Sequence, residues 1–204
     1  MTPAALAAVL LAVTLPVLAA CGSDDEGAAV GSGAPEALLR GDPTAGWTVS
    51  ADATRGVQVS FPSGWRRARR SLTPNLWDPR ELLSLGTGPL VVEPKGCGNM
   101  PAGALSALRA QDVLVSLQER RDPGRGYPPR PARFRLTRAI RSDAIGCLSD
   151  PARRDTWWTS FRDGDRAFYA LVALGRPASA ARRREAELVL DSLRFTPSPG
   201  RRAG

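Results

Sequence analysis

Apolar and polar positions alternate with a period of two from Gly56 to Phe61, and Pro62 ends the run, which predicts a strand. Trp65 to Leu72 predicts a weaker strand, and Pro74 to Pro79, with proline at both ends, a loop. Glu81 to Thr87 and Leu90 to Glu93 are predicted as short strands. Ala102 to Arg109 reads as a short helix behind Pro101. Asp112 to Glu119 places Val113, Val115 and Leu117 on one strand face. Asp122 to Pro131 holds four prolines and two glycines and is expected to be a long exposed loop. Phe134 to Ile140 completes this middle region as a strand.

The strongest local signal is a hairpin. Thr156 to Arg162 and Arg166 to Leu174 are β-rich runs around Asp163-Gly164, a pair that favours a type I′ turn. A two-residue loop at that place pairs Arg162 with Asp165 and sets Trp158 opposite Tyr169. Trp157, Phe161, Phe168 and Val172 then share the other face, so both faces require cover. After Gly175 and Pro177 a helix is predicted over Ala178 to Leu193. Ala186, Val189, Leu190 and Leu193 form its apolar stripe, and Glu187 and Asp191 lie off it. Arg182, Arg183 and Arg184 crowd its first turns, against the helix dipole. Strands, a short helix, more strands and a closing amphipathic helix describe an α+β domain with an antiparallel sheet.

The N-terminus has a different pattern. Ala4 to Ala20 is a run of 17 apolar or small residues, broken only by Thr14 and Pro16. A membrane-spanning helix needs about 20, and a run ending in small residues fits the apolar core of a secretory signal better. Leu18-Ala19-Ala20-Cys21 resembles the bacterial lipobox, which implies that Cys21 is diacylated and becomes the first residue of the mature chain. Met1-Thr2-Pro3 carries no Lys or Arg. Either the α-amino group suffices there or the true start lies further upstream. The expected address is the extracytoplasmic face of the cell membrane, with the lipid bilayer as a partner through Cys21. The plainer reading is a buried helix beside a cysteine.

Of three cysteines, lipidation of Cys21 leaves Cys97 and Cys147, 50 residues apart. An oxidising compartment makes their disulfide the expected state, worth about 4 kcal/mol by loop-closure entropy. Two free buried thiols are the alternative. A metal site is not expected: neither cysteine belongs to a CxxC, and the chain has no histidine.

Charge divides the mature chain. Residues 22–46 hold five acids against Arg40 among Gly, Ala, Ser and Pro, and are expected to be a disordered acidic spacer. Trp47 to Thr196 is the expected globular domain, with 25 basic and 15 acidic residues, and Pro197 to Gly204 a disordered tail. Of the 28 basic residues one is lysine, Lys95; with the abundant Ala, Gly and Pro, this is the codon bias of a high-GC genome.

Two stretches carry a family resemblance. Val57 to Trp65 (VQVSFPSGW) resembles the early strand and Pro-x-Gly-Trp turn of PsbP-like domains. Phe168 to Phe195 resembles that superfamily's last strand, Gly turn and closing helix, with Leu190-Asp191-Ser192-Leu193-Arg194-Phe195 as the matching end motif. The chain thus looks like a PsbP-like domain in a bacterial lipoprotein of a high-GC Gram-positive type. The resemblance implies an α/β/α sandwich around a central antiparallel sheet and a non-enzymatic binding or assembly role. It covers both ends of the domain. It carries over no functional residues, and the Cys97–Cys147 pair and the Pro-rich loop are not part of its general pattern.

Catalytic chemistry finds little footing. Without histidine there is no Ser-His-Asp or Cys-His arrangement, and neither a G-x-S-x-G elbow nor an S-x-x-K motif occurs. Ser-Lys chemistry would rest on Lys95 alone. Asp163 with Asp165, or Asp150 with Asp155, could in principle serve a glycosidase, but the first pair is more simply turn chemistry. No cofactor and no metal are expected, and the protein is expected not to be an enzyme.

Binding chemistry is better represented. Arg66, Arg67, Arg69 and Arg70, Arg120-Arg121, and Arg182, Arg183 and Arg184 are clusters suited to anions. On a strand, Arg66 and Arg70 share a face with Ala68, and Arg67 and Arg69 take the other. A solvated surface is the plainer reading. Trp158 and Tyr169 could form a platform for sugar stacking, or a core pair beneath a helix. Tyr127 lies in the Pro-rich loop, which is either a recognition segment or simply mobile. The leading expectation is docking onto an envelope protein. The alternative is an anionic envelope polymer or lipid held by the Arg clusters. Nucleic acid is not an expected partner of an exported chain. Cys21→Ser is expected to release the protein from membranes on fractionation, and sedimentation with membranes despite the change would refute lipidation.

Overall fold

The computed structural model describes residues 42–92, 97–122, 124, 126–138, 140–141 and 153–197. Contacts divide the chain into Met1–Leu39, which lies outside those residues, and Arg40–Gly204. The second unit is α+β. It runs β1 (Thr48–Asp52), β2 (Val57–Phe61), β3 (Arg66–Arg67), β4 (Arg80–Gly86), α1 (Ala102–Ala107), β5 (Val113–Arg120), a 3-10 turn (Leu136–Arg138), β6 (Ile140–Arg141), β7 (Arg154–Asp163), β8 (Arg166–Gly175), α2 (Ala180–Ser192) and β9 (Arg194–Phe195).

Two antiparallel sheets result, ordered β1-β2-β9 and β3-β4-β5-β8-β7-β6. The long strands of the larger sheet are apolar on both faces, as a sheet covered on both sides must be. On one face Val113, Val115, Leu117, Phe161, Phe168 and Val172 meet β2 and the buried stripe Ala186, Val189 and Leu190 of α2, continued by Leu193 just after it. On the other, Leu114, Leu171 and Ala173 meet Leu72 and the α1 residues Ala104 and Leu105, with Leu108 behind them. The architecture is therefore an α/β/α sandwich around a central antiparallel sheet, closed by a C-terminal helix.

Helix α2 begins at Ala180, not Ala178, because Ser179 is its N-cap and accepts a hydrogen bond from the Arg182 N–H. Its far end is held by a cation. The Arg130 guanidinium donates to the carbonyls of Leu190, Asp191 and Leu193 at the end of the helix, where carbonyls run out of intrahelical partners, and also bonds Asp163 at 3.0 Å. The Pro-rich loop is thereby fastened at this end. Pro128 and Arg130 also exchange backbone hydrogen bonds with Arg162 on the edge of β7, where proline is tolerated.

Three expected strands change. Phe134 and Leu136 do point inward at period two, but their N–H groups go to the carboxylates of Asp191 (2.8 Å) and Glu187 (3.1 Å). With their partner a helix and not a strand, the segment closes as a 3-10 turn before β6. Glu187 and Asp191, off the apolar stripe, are thus committed to this segment. Trp65 to Leu72 shortens to β3, because Glu81 gathers the N–H groups of Leu72 and Thr73 and the hydroxyls of Ser71 and Thr73, turning the chain. The described part of Leu90 to Glu93 forms no strand: β3 and the Ala68 N–H already occupy the edge of β4.

The β7–β8 hairpin forms, but its two-residue loop is Gly164-Asp165. Asp163 pairs with Arg166 and Arg162 with Ala167, not with Asp165. Gly164 sits at φ 61°, whereas Asp165 is not in the positive-φ region, the pattern of a type II′ turn, which needs glycine at its first central position. The partner moves by two residues, so every side chain keeps its expected face. Trp158 faces Leu171, Tyr169 faces Ser160, and the two aromatic rings become diagonal neighbours.

The buried Arg166 joins the two sheets. It donates to Glu119 on β5 (2.6 Å), to the carbonyls of Arg55 and Gly56 in the β1–β2 turn, and to that of Thr196 after β9. Burial pushes the Glu119 carboxyl up, but the hydrogen bonds from Arg166 and Arg80 outweigh it and hold the group below its ordinary value. Arg166→Ala is expected to cost about 3–5 kcal/mol in urea unfolding, the range for breaking a buried pair. A depressed carboxylate contributes stability above its unfolded pKa and loses it as pH falls through the folded one. The stability gap between wild type and Glu119→Gln should therefore narrow as pH drops below about 4. A gap constant with pH would refute the role of the charge.

Candidate anion-binding site

The strip that follows β2 is set by a turn and an anchor. Trp65 is buried and its N–H closes onto the Pro62 carbonyl, after which Arg66 and Arg67 pair with Gly86 and Leu85 on the edge of β4. Side chains then alternate. The Arg67 guanidinium reaches β1, bonding Ser50 Oγ at 2.7 Å and Asp52 Oδ2 at 3.2 Å. Ala68 packs against the second core, on the α1 side. Arg66 donates to the carbonyls of Thr87 and Gly88, so its charge is hydrogen-bonded but not neutralised. Arg69 and Arg70 are exposed and, among the described residues, pair with nothing.

Two grooves flank this strip. One, of 550 Å³, is lined by Asp52, Thr54, Arg55, Arg67, Ala68 and Arg69. The other, of 350 Å³, is lined by Arg66 to Arg70 with Leu72, Leu90 and Val92. They differ electrostatically. In the first, the Arg55 N–H, followed by the charges of Arg55 and Arg67, holds the Asp52 carboxyl below its ordinary value against the opposing effect of burial, so a carboxylate already answers part of the positive charge. In the second, no carboxylate is present among the described residues that line it.

The other arginine cluster is spent differently. Arg182 bonds Glu185 (2.7 Å) and Arg184 bonds Glu187 (3.3 Å), each one helical turn on. Arg183 lies half-buried with its guanidinium 5.7 Å from the centre of the Trp157 ring. The helix spacing that brings these arginines together also supplies their acids. Arg120 and Arg121 serve a neighbouring loop. Asp78 accepts from the Arg121 N–H at 3.0 Å and pairs with Arg120 at 3.3 Å, and the Arg121 guanidinium stacks 3.7 Å over Trp77. Trp77 is 72% exposed, a feature that sequence reasoning missed because the Pro74–Pro79 segment reads only as a loop.

Trp158 and Tyr169 are half-buried, with ring centres 5.2 Å apart and planes 33° apart. Tyr127 comes over from the Pro-rich loop to bond the Tyr169 hydroxyl, its ring at 57° to that of Tyr169. Burial, then the bond to Tyr169, pushes the Tyr127 hydroxyl well above its usual range. The three rings tilt against one another and Trp158 packs onto the second core, so they do not form one flat platform.

Cys97 is buried and disulfide-bonded. Cys147, its expected partner, lies outside the described residues, as do Cys21, Lys95 and Asp150. Asp163 is paired with Arg130 and Asp155 with Arg176. Among the described residues, no group of three metal-ligating side chains comes together, and no helix is long and apolar enough to cross a membrane.

No protein-family model and no curated protein matches this chain. Its functional reading therefore rests on the arrangement of these residues. Because Arg69 and Arg70 hold nothing together, Arg69→Ser/Arg70→Ser is expected to change stability by less than about 0.5 kcal/mol in urea unfolding. Arg67→Ser, which removes two hydrogen bonds to β1, should cost about 1 kcal/mol. Equal costs would show the strip to be structural throughout.

Proposed function

We propose that this protein is a lipid-anchored, extracytoplasmic binding module without catalytic chemistry, and that its strip Arg66 to Arg70 holds an anionic component of the cell envelope. One observation carries the reading: Arg69 and Arg70 stand exposed and unpaired between two grooves, while Arg182 and Arg184 are matched with carboxylates. Guanidinium groups bind phosphate and carboxylate through paired, charge-assisted hydrogen bonds. The resemblance to PsbP-like domains favours a binding role over an enzymatic one. The lipobox-like Leu18 to Cys21 supplies the address, and the acidic spacer the distance from the bilayer.

A second reading, docking onto an envelope protein, is favoured by Trp77. A largely exposed tryptophan stacked under an arginine has the composition of an interface hot spot. Salt separates the two, because charge-led binding weakens as the Debye length shrinks, whereas an apolar interface does not.

The test uses the full-length lipidated protein in neutral nanodiscs and long-chain inorganic polyphosphate as the probe. Binding is expected to fall steeply from roughly 0.1 to 1 M salt. Arg69→Ser/Arg70→Ser should weaken it by about tenfold or more, the loss of a charge-assisted bond, while Arg182→Ser/Arg184→Ser leaves it within about twofold. Equal binding by wild type and Arg69→Ser/Arg70→Ser would overturn the assignment.

A further inference from the structure

In the 350 Å³ groove, cations that pair with no carboxylate among the described residues meet an aliphatic floor. Its basic rim is Arg66, Arg69 and Arg70, and its floor is Leu72, Leu90 and Val92. Leu90 and Val92 are only half-buried although they pack on the second core, and Val91 between them is 47% exposed. A polyanion such as a phosphate polymer would use the rim and leave that floor wet. Two other grooves among the described residues do not combine the two features. The 550 Å³ groove contains Asp52 and lacks an aliphatic floor. The apolar 240 Å³ groove under Pro128, Phe134 and Leu190 has Arg133 and Arg135 at its rim, but these pair with Asp191 and Glu187.

Resting on the anion-binding reading above, we infer that the groove of Arg66, Arg69, Arg70, Leu72, Leu90 and Val92 binds a phosphate-bearing amphiphile, with its phosphate on the arginines and the start of its alkyl chain along the aliphatic floor. The charge assignment follows from the rim: among the described residues the three guanidinium groups pair with no carboxylate, so an anion is bound without displacing one. The alkyl assignment follows from the floor: covering half-exposed Leu and Val with hydrocarbon removes apolar surface from water at both partners. The volume is that of a small-molecule site rather than of a polymer channel.

The experiment titrates methyl-labelled full-length protein in neutral nanodiscs with three soluble probes and follows the leucine and valine methyl resonances. The probes are dihexanoyl phosphatidic acid below its micelle concentration, dihexanoyl phosphatidylcholine with the same chains, and glycerol phosphate with no chains. The phosphatidic acid is expected to bind at least about tenfold more tightly than glycerol phosphate, to shift the methyls of Leu72, Leu90 and Val92, and to lose about tenfold in Arg69→Ser/Arg70→Ser. Glycerol phosphate binding as tightly as the phosphatidic acid would overturn the amphiphile while leaving the anion site intact. Phosphatidylcholine, whose choline cation offsets its phosphate, binding as tightly as the phosphatidic acid to wild type and to Arg69→Ser/Arg70→Ser alike would overturn the role of the arginines. If neither phosphatidic acid nor polyphosphate binds, the amphiphile and the anion site fail together.

Discussion

The Arg166 guanidinium, buried against Glu119, is the contact on which the rest of the domain is hung. From one position on the central strand β8 it reaches β5, the β1–β2 turn and the residue after β9. A buried ion pair must recover the cost of leaving water, and it does so only when its remaining donors and acceptors are satisfied. Here each nitrogen of the guanidinium has a partner, and the second Glu119 oxygen accepts from Arg80. The backbone is shaped to admit it. Gly56 lies at φ 58°, and a Cβ there would stand 2.5 Å from Thr196 Oγ1 and 3.0 Å from the Arg166 guanidinium. Glycine is required both by its dihedral and by the approach of the cation.

That constraint reaches the candidate site through short steps. Arg166 fixes the β1–β2 turn, and β2 carries Val57, Val59 and Phe61 into the core. The partner strand β1 then presents Ser50 and Asp52, and these take the Arg67 guanidinium. With Arg67 drawn to one side and Ala68 packed on the other, the strip is held between the two cores. The bend that follows is fixed by Glu81, which collects the N–H groups of Leu72 and Thr73. Arg69 and Arg70 are left between two fixed points with no structural duty. Their exposure is a consequence of how firmly their neighbours are held.

The fold class was legible because periodicity reports burial. Val113, Val115 and Leu117, and Ala186, Val189, Leu190 and Leu193, each lie where one buried face puts them. What periodicity does not report is the partner. Phe134 and Leu136 alternate as a strand would, yet their backbone is answered by carboxylates of α2. The hairpin shows the same limit at finer scale. Asp163-Gly164 and Gly164-Asp165 are both credible two-residue loops, and both send Trp157 and Phe161 to the same face, so the pattern of faces cannot choose between them. The register does: Asp163 pairs with Arg166, and Asp163 lacks the positive φ that a type I′ loop at Asp163-Gly164 requires. In the candidate site, the cluster Arg66 to Arg70 was visible as charge, but its separation from Arg182 to Arg184 was not. That distinction depends on which arginines find acids once the chain is folded.

The almost complete use of arginine in place of lysine gives this distinction its force. Arg130 serves three carbonyls and a carboxylate, and Arg166 a carboxylate and three carbonyls. A lysine has three donors on one atom and cannot span such separated acceptors. Arginine in this domain is therefore first a cross-linking residue, and the excess positive charge of the sequence overstates the charge offered to a ligand. The charge that remains for binding is found by subtraction. With the arginines bound to carboxylates and to the ends of elements removed, Arg69, Arg70 and Arg109 stand unassigned among the described residues, and the first two lie on a strip whose α1-side groove is lined by three aliphatic side chains and, among the described residues, no acid. Arg69 and Arg70, unpaired beside the half-buried Leu90 and Val92, are the physical ground on which the proposed binding role rests.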